Sequence, residues 1–229
     1  MVPAWHGAVA VIVGGLLAVS ACAPREVTMD VSDHPGDLRP LPALEDHAPD
    51  SLEEAIATRR SVRDFAERAV SDEDIGRLLW AAQGITGPEG RRAAPSAGAT
   101  YPLEVYSVSA DGVARYLPEA HALEPHLDAD PRDELAAAAL GQSEVAAAPL
   151  VVVITGVVAR TATRYGDRAE RYVTLEAGHA AQNVLLQAVA RDLAAVPIGA
   201  FDDDEVAAVL ELPDGRAPLY LLPVGHPAG

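Results

Sequence analysis

The sequence predicts an α+β fold, in which helices flank a mainly antiparallel central sheet. Two observations lead to this prediction. Helix and strand patterns are mixed along the chain without the regular alternation of parallel β-α-β units, and two of the strand patterns are joined by a hairpin turn. The 229 residues, less an N-terminal leader, suit one domain or a tight pair of subdomains with a sizeable core.

Helical patterns occur at five places in the chain. Ser51 and Glu54 form a capping box at the start of a short helix that reaches to about Arg60. The apolar residues of 170–193 fall on one stripe, so this is predicted to be the longest helix and a core or subunit-contact element. The remaining helical patterns cover residues 71–83, 132–148 and 202–210.

Strand patterns are clearest in the middle of the chain. Residues 103–108 alternate apolar and polar side chains, and Asp111-Gly112 offers a hairpin turn into residues 113–117. The unbroken apolar run 150–154 predicts a central strand that is buried on both faces. Residues 218–224 predict a final strand.

The charge balance excludes one class of partner. All 17 basic residues are arginine, against 34 acidic residues, for a net charge of −17. A field this negative repels nucleic acid, which needs clustered positive charge. Any anion that binds here must be held by arginine, histidine or backbone N–H groups.

The first 22 residues carry the pattern of an exported lipoprotein. Residues 8–21 form an apolar run that is too short to span a bilayer but suits a signal peptide. The Val-Ser-Ala-Cys sequence ending at Cys22 resembles the lipobox of bacterial lipoproteins, which implies cleavage before Cys22 and its acylation. We expect a signal peptide over 1–21, a tether over 22–50 and a domain over 51–229, anchored at the cell membrane and facing outside the cytoplasm. An apolar N-terminal helix with an incidental cysteine is the alternative.

Residues 59–65, the arginine segment, form the first candidate binding motif. Arg59, Arg60, Ser61 and Arg63 place guanidinium groups and a hydroxyl at a helix end, where they can donate charge-assisted hydrogen bonds to a phosphate. Alone, the pattern is equally typical of a solvated helix terminus.

Two further segments join the arginine segment in a resemblance to the nitroreductase superfamily. Residues 94–104, the proline-serine loop, resemble the loop that passes the flavin ring in its azoline-dehydrogenase-like branch; Pro95, Ser96, Ala97 and Gly98 would lie near the ring. Small residues allow such close backbone approach. Residues 197–201, the glycine segment, resemble the stretch whose backbone N–H faces flavin N5.

The resemblance implies an FMN-dependent oxidoreductase that acts by ping-pong transfer from NAD(P)H or another donor to a small organic acceptor. It also implies a homodimer with its site between subunits. Gly199 and Ala200 stand where many relatives have Glu-Gly, so a carboxylate above the ring is missing. Since the chain lacks lysine, Arg63 or Arg60 would face the flavin edge where negative charge grows on reduction. His226 follows the closing glycine and would reach the phosphate, although a surface histidine is an equal interpretation.

The azoline-dehydrogenase branch uses a Lys-Tyr pair near the flavin, and this chain has Arg164-Tyr165 at the matching place. Arginine cannot serve as a general base, so Tyr165 is the one candidate catalytic side chain, against a structural alternative of a half-buried aromatic at a helix start. A non-catalytic flavin- or ligand-binding surface lipoprotein is the alternative function. Glu176 and His179 have the spacing of half a di-iron site, but no second pair exists, so we predict no metal and interpret His179 as a core or interface histidine.

Overall fold

The computed structural model describes residues 38–42 and 52–229. The predicted signal peptide, Cys22, most of the predicted tether and Ser51 lie outside the described residues. Within the range assigned to the tether, Arg39–Pro40 forms a short strand on the domain, and Leu41 is buried against it.

A seven-stranded sheet forms the centre of the molecule, and every pairing between its strands is antiparallel. In spatial order the strands run β1-β6-β5-β4-β7-β9-β8. A separate two-stranded hairpin, β2 and β3, lies outside this sheet. The strands are β1 Arg39–Pro40, β2 Ile85–Gly87, β3 Arg91–Arg92, β4 Leu103–Ser109, β5 Gly112–Leu117, β6 Ala122–Leu127, β7 Leu150–Gly156, β8 Ala194–Ala195 and β9 Ala217–Gly225.

Seven α-helices are present among the described residues. They are α1 Leu52–Thr58, α2 Asp72–Gln83, α3 Arg132–Ala138, α4 Ser143–Ala147, α5 Val158–Tyr165, α6 Ala169–Val189 and α7 Asp203–Val209. Ser71 and Asp202 cap α2 and α7 through their side chains, at the residues where the sequence predicts these two helices to begin. Together with the antiparallel sheet, these helices confirm the predicted α+β fold.

The core has two layers, one on each face of the sheet. Val152 and Ile154 of β7 face the layer built on α2 and α6, while Val151 and Val153 face the layer built on α3, α4 and α7. All seven residues of β7 are buried. The prediction of a central strand buried on both faces is therefore confirmed.

The hairpin between β4 and β5 also agrees with the sequence. Ser109 pairs with Gly112, so the turn comprises two residues. Gly112 has φ 117°, and a Cβ there would lie 2.1 Å from the Leu127 carbonyl oxygen. The turn thus requires glycine for its backbone conformation and for the close approach of β6.

The secondary structure differs from the sequence analysis at several places. The predicted helix 132–148 is two helices, because Leu140 and Gly141 adopt positive φ angles of 60° and 76° between them. Strand β6 was missed, since its Pro125 and His126 interrupt the apolar alternation. Tyr165 ends helix α5 instead of beginning a helix.

No helix in the part of the chain that the structure describes is long and apolar enough to cross a membrane.

Candidate flavin site

The arginine segment runs along one edge of the sheet, where the C-terminus also lies. Helix α1 ends at Thr58, and beyond it the Val62 N–H donates to the Ala195 carbonyl at 3.1 Å. Further on, the Ala66 N–H donates to the His226 carbonyl at 2.9 Å. These contacts join parts of the chain that are more than 130 residues apart in sequence.

A cavity of about 340 Å³ opens at this edge. Arg59 and Arg60 line one side, and Leu185 and Val189 of α6 line another. Among the described residues the Arg59 guanidinium, the Ser61 hydroxyl and the His226 imidazole have no ion pair or hydrogen bond. Arg59 therefore places an unused donor for an anion at the cavity, and Ser61 and His226 are sequence neighbours of the lining residues Arg60 and Pro227.

Arg60 and Arg63 differ from Arg59 in having partners. Arg60 donates to the carbonyls of Ala57 and Arg59, at 2.9 and 2.8 Å, and so terminates α1. The Nε atom of Arg63 lies 3.2 Å from Oε1 of Glu144. The structure thus gives Arg60 the helix-end role that was the alternative in the sequence.

The glycine segment continues from the same edge. Ile198 exchanges two backbone hydrogen bonds with Leu221 of β9, at 2.8 and 3.0 Å. After it, Gly199 and Ala200 are exposed, and in the described chain neither N–H has an acceptor. The Ala200 carbonyl accepts from the Gln142 side chain at 2.8 Å, which holds the segment in place. Two adjacent free N–H groups form a site for a hydrogen-bond acceptor.

The proline-serine loop lies elsewhere on the molecule, against helix α5. Gly98 has φ 61° within a 3-10 turn over Ala97–Ala99, and its carbonyl accepts from Arg164 at 3.1 Å. A Cβ on Gly98 would lie 2.8 Å from the Tyr165 hydroxyl oxygen. Pro95 is exposed, while Ser96 and Ala97 are partly buried. The loop and Tyr165 therefore form one surface, as their assignment to one site requires.

Within one chain this surface is separate from the cavity at the arginine segment. Helix α6 connects them, because Glu176 faces Ser96 and Ala97 while Leu185 lines the cavity. At 1.5 Å per residue, nine residues of helix correspond to about 13 Å. The structure thus brings together the arginine segment, the glycine segment and His226, but not the proline-serine loop or Tyr165.

Glu176 is a residue whose environment the sequence did not reveal. It is 3% exposed, and its Oε1 has no hydrogen-bond partner among the described residues. Burial raises the pKa of this carboxyl to about 7, although Ser96, Arg92 and the Ala97 N–H favour its ionised form. His179, three residues on, is exposed, so it is not a core residue, and its interpretation as an interface residue stays a prediction. No cluster of ligand side chains able to hold a metal ion occurs in residues 38–42 and 52–229.

A second charged cluster surrounds Glu104 of β4, which is 7% exposed. Its carboxylate accepts from Arg216 at 2.6 Å and from Arg160, and Arg115 lies 3.8 Å away. Burial alone would raise the pKa of Glu104, but the hydrogen bonds from Arg216 and Arg160 outweigh it and lower the pKa. The cluster ties β4 to α5 and to the start of β9.

A larger cavity, of about 600 Å³, lies at the other end of the sheet beside β5 and β6. None of the residues assigned from the sequence to the flavin lines it. Its size therefore does not mark it as the candidate flavin site.

Comparison with known proteins identifies the family of this chain. The model of the nitroreductase family matches residues 56–226. The chain belongs to the nitroreductase family. A candidate nitroreductase of Methanocaldococcus jannaschii is 42% identical over 181 residues, which are 76% of this chain and 90% of that protein.

Solved structures of nitroreductase-like proteins share the fold. A candidate nitroreductase from Ralstonia eutropha has a TM-score of 0.77 at 27% identity, over 84% of this chain and 90% of that one. An NADPH:FMN oxidoreductase from Vibrio harveyi, in complex with NAD⁺, has a TM-score of 0.60 at 25% identity, over 78% and 69% of the two chains. The predicted nitroreductase-like fold is therefore confirmed.

Proposed function

We propose that this protein is an FMN-dependent oxidoreductase that transfers electrons from a reduced donor to a small organic acceptor. The observation that carries the proposal is the cavity at the arginine segment. Arg59 lines this cavity, and Ser61 and His226 are sequence neighbours of residues that line it. None of the three side chains has a partner among the described residues, and the chain belongs to the nitroreductase family. When bound, FMN supplies the chemistry, because it accepts electrons from one substrate and passes them to the next.

The residues present fit FMN at its two polar ends. Arg59 and Ser61 supply charge-assisted donors for a phosphate, and His226 adds one more when it is protonated. The free N–H groups of Gly199 and Ala200 suit the acceptor atoms of the flavin ring. Because Ala200 is locked by Gln142, these donors are fixed in advance and need no reorganisation when charge develops.

Arg63 supplies the positive charge that stabilises the reduced cofactor, in a chain without lysine. Its side chain is 60% exposed and its partner Glu144 only 12% exposed. The guanidinium can therefore turn towards a ligand without moving α4. A nearby cation lowers the free energy of added negative charge, which raises the reduction potential.

We further propose that the complete site forms between two copies of the chain. The proline-serine loop is about 13 Å along α6 from the cavity, so one chain does not offer all the segments to one flavin. A second copy would supply the missing loop together with Tyr165. Leu175 of α6 is 51% exposed, which is consistent with a helix face that is covered in a homodimer.

NAD(P)H is the proposed donor, because the Vibrio harveyi structure is that of an NADPH:FMN oxidoreductase with NAD⁺.

Azoline oxidation remains a second candidate, favoured by the position of Tyr165 against Gly98. The lost carboxylate at Gly199 favours a non-catalytic flavin-binding protein instead. Anchoring of the protein through lipidated Cys22, outside the cytoplasm, is proposed from the sequence alone.

The test is the visible absorbance spectrum of the purified full-length protein, before and after addition of FMN. We expect a two-peaked flavin spectrum that is lost on anaerobic addition of NADPH. If the colour is lost with dithionite but not with NADPH, the electron donor is not NADPH. If the protein does not bind flavin, the proposed function is overturned.

A variant pair locates the site. Arg59→Ala should weaken FMN binding about tenfold, which corresponds to one hydrogen bond to a charged group. Arg68→Ala is the matched control, because Arg68 is exposed, lies close in sequence and lines only the other cavity. Equal FMN affinity in the two variants would remove Arg59 from the site.

A further inference from the structure

The buried carboxyl of Glu176 has no role in the site described above. It lies on α6 between the buried residues Val173 and Ala180, where a charged group is costly. Its Oε1 has no partner among the described residues. A carboxyl that is 3% exposed and incompletely paired lowers the free energy of unfolding. A protein typically retains a destabilising group of this kind because the group has a function.

The polar groups around Glu176 come mostly from the proline-serine loop. The Ser96 hydroxyl and the Ala97 N–H face the carboxyl, and Arg92 of β3 is the charged group that acts on it. Ser96 Oγ already accepts from the Tyr101 N–H at 2.9 Å, so its own proton is free to be donated to Glu176. Arg92 is held in turn by Glu119 at 2.7 Å.

We infer that Glu176 is a positioning residue, which holds the proline-serine loop through Ser96 and Ala97 in the conformation that receives the flavin. This inference rests on the proposed function. The loop itself is a short 3-10 turn with Gly98 in the left-handed region, so local backbone hydrogen bonds alone hold it weakly. A carboxylate beneath the loop attracts both donors that face it, the Ser96 hydroxyl and the Ala97 N–H.

The loop is therefore ordered best when Glu176 is ionised. Its pKa is raised to about 7, so the ionised form prevails at pH 8 and the protonated form at pH 6. Flavin affinity should fall as pH falls through this range. The phosphate of FMN also changes its charge in this range, so the pH dependence due to Glu176 must be measured as a difference between variants.

The experiment measures the dissociation constant of FMN by quenching of its fluorescence at pH 6, 7 and 8. It compares the full-length wild type with Glu176→Gln, which keeps the shape and an acceptor oxygen but cannot ionise. The variant should bind FMN about tenfold more weakly than the wild type at pH 8 and equally at pH 6. Glu170→Gln, an exposed position on the same helix, should follow the wild type throughout.

Ser96→Ala serves as a second variant in case Glu176→Gln fails to fold. It removes the hydroxyl donor without altering the buried carboxyl, and it should also weaken FMN binding more at pH 8 than at pH 6. Parallel pH curves for the wild type and the folded variants would overturn the inference while leaving the proposed function intact. Absence of FMN binding by the wild type at every pH would overturn both.

Discussion

Arg63 forms an ion pair with Glu144, 81 residues away in sequence, with 3.2 Å between Nε and Oε1. Arg63 is also the residue that we propose to face the flavin in a protein without lysine. One guanidinium is thus shared between an internal carboxylate and a proposed ligand, and the two interactions compete.

Removal of the competing carboxylate should strengthen flavin binding. In Glu144→Gln, Arg63 no longer has to leave an ion pair, which is worth about 0.5–1 kcal/mol for a partly exposed pair. We expect the FMN dissociation constant to fall about threefold, as measured by fluorescence quenching. Glu205→Gln, on an exposed part of α7, is the control. An unchanged or weaker FMN affinity in Glu144→Gln would show that Glu144 orients Arg63 towards the flavin and does not compete with the flavin for it.

Replacement of Arg63 itself should affect both binding and redox properties. Arg63→Ala is expected to lower flavin affinity and to shift the reduction potential downward, because a cation near the reduced cofactor is lost. Arg63→Lys keeps the positive charge, so its flavin reduction potential should stay close to that of the wild type. Spectroelectrochemical titration of the three proteins measures the reduction potential. Identical potentials in all three would show that Arg63 does not interact with the flavin.

Glu104 is expected to be important for stability. Glu104→Gln leaves Arg160 and Arg216 without their carboxylate, and loss of one partner of a buried pair destabilises strongly. We expect the free energy of unfolding, measured by urea titration, to fall by about 2 kcal/mol. This is less than for a fully buried pair, because both arginines are partly exposed. Glu89→Gln, from an exposed pair with Arg91, should have no measurable effect. An equally small effect at Glu104 would show that water replaces the carboxylate.

Glu176 predicts an unusual pH dependence of stability. Its pKa is raised to about 7 in the folded state, against about 4.3 for an unperturbed glutamate. Between these values the folded state holds a proton that the unfolded state has released, so this group makes the protein less stable as pH rises from about 5 to 8. The change is of the order of 3 kcal/mol.

The measurement is the free energy of unfolding of the wild type and of Glu176→Gln at pH 5 and pH 8. Relative to Glu176→Gln, the wild type should be less stable at pH 8 than at pH 5. Glu104, whose pKa is lowered, contributes oppositely but only at lower pH, so it does not mask the effect. A constant difference would mean that Glu176 is not protonated in the folded protein at pH 5 to 7.

The sequence by itself determined those elements whose cause is local. The apolar run of β7, the turn at Gly112 and the helix starts at Ser71 and Asp202 depend on a few residues each, and each appears in the structure as expected. The three motif segments identified the family for the same reason, because their residue types are tied to short stretches of backbone. The roles proposed for their side chains stay predictions.

The tertiary structure decided what depends on contacts between distant residues. Helices α3 and α4 pack into the same core layer, and β6 is paired in spite of its Pro125. The pairing of Arg63 with Glu144 and the burial of Glu176 beneath Ser96 follow from chain segments that meet only after folding. Burial and charge pairing set the pKa of a carboxyl, so the properties of these residues could not be predicted from their neighbours in sequence.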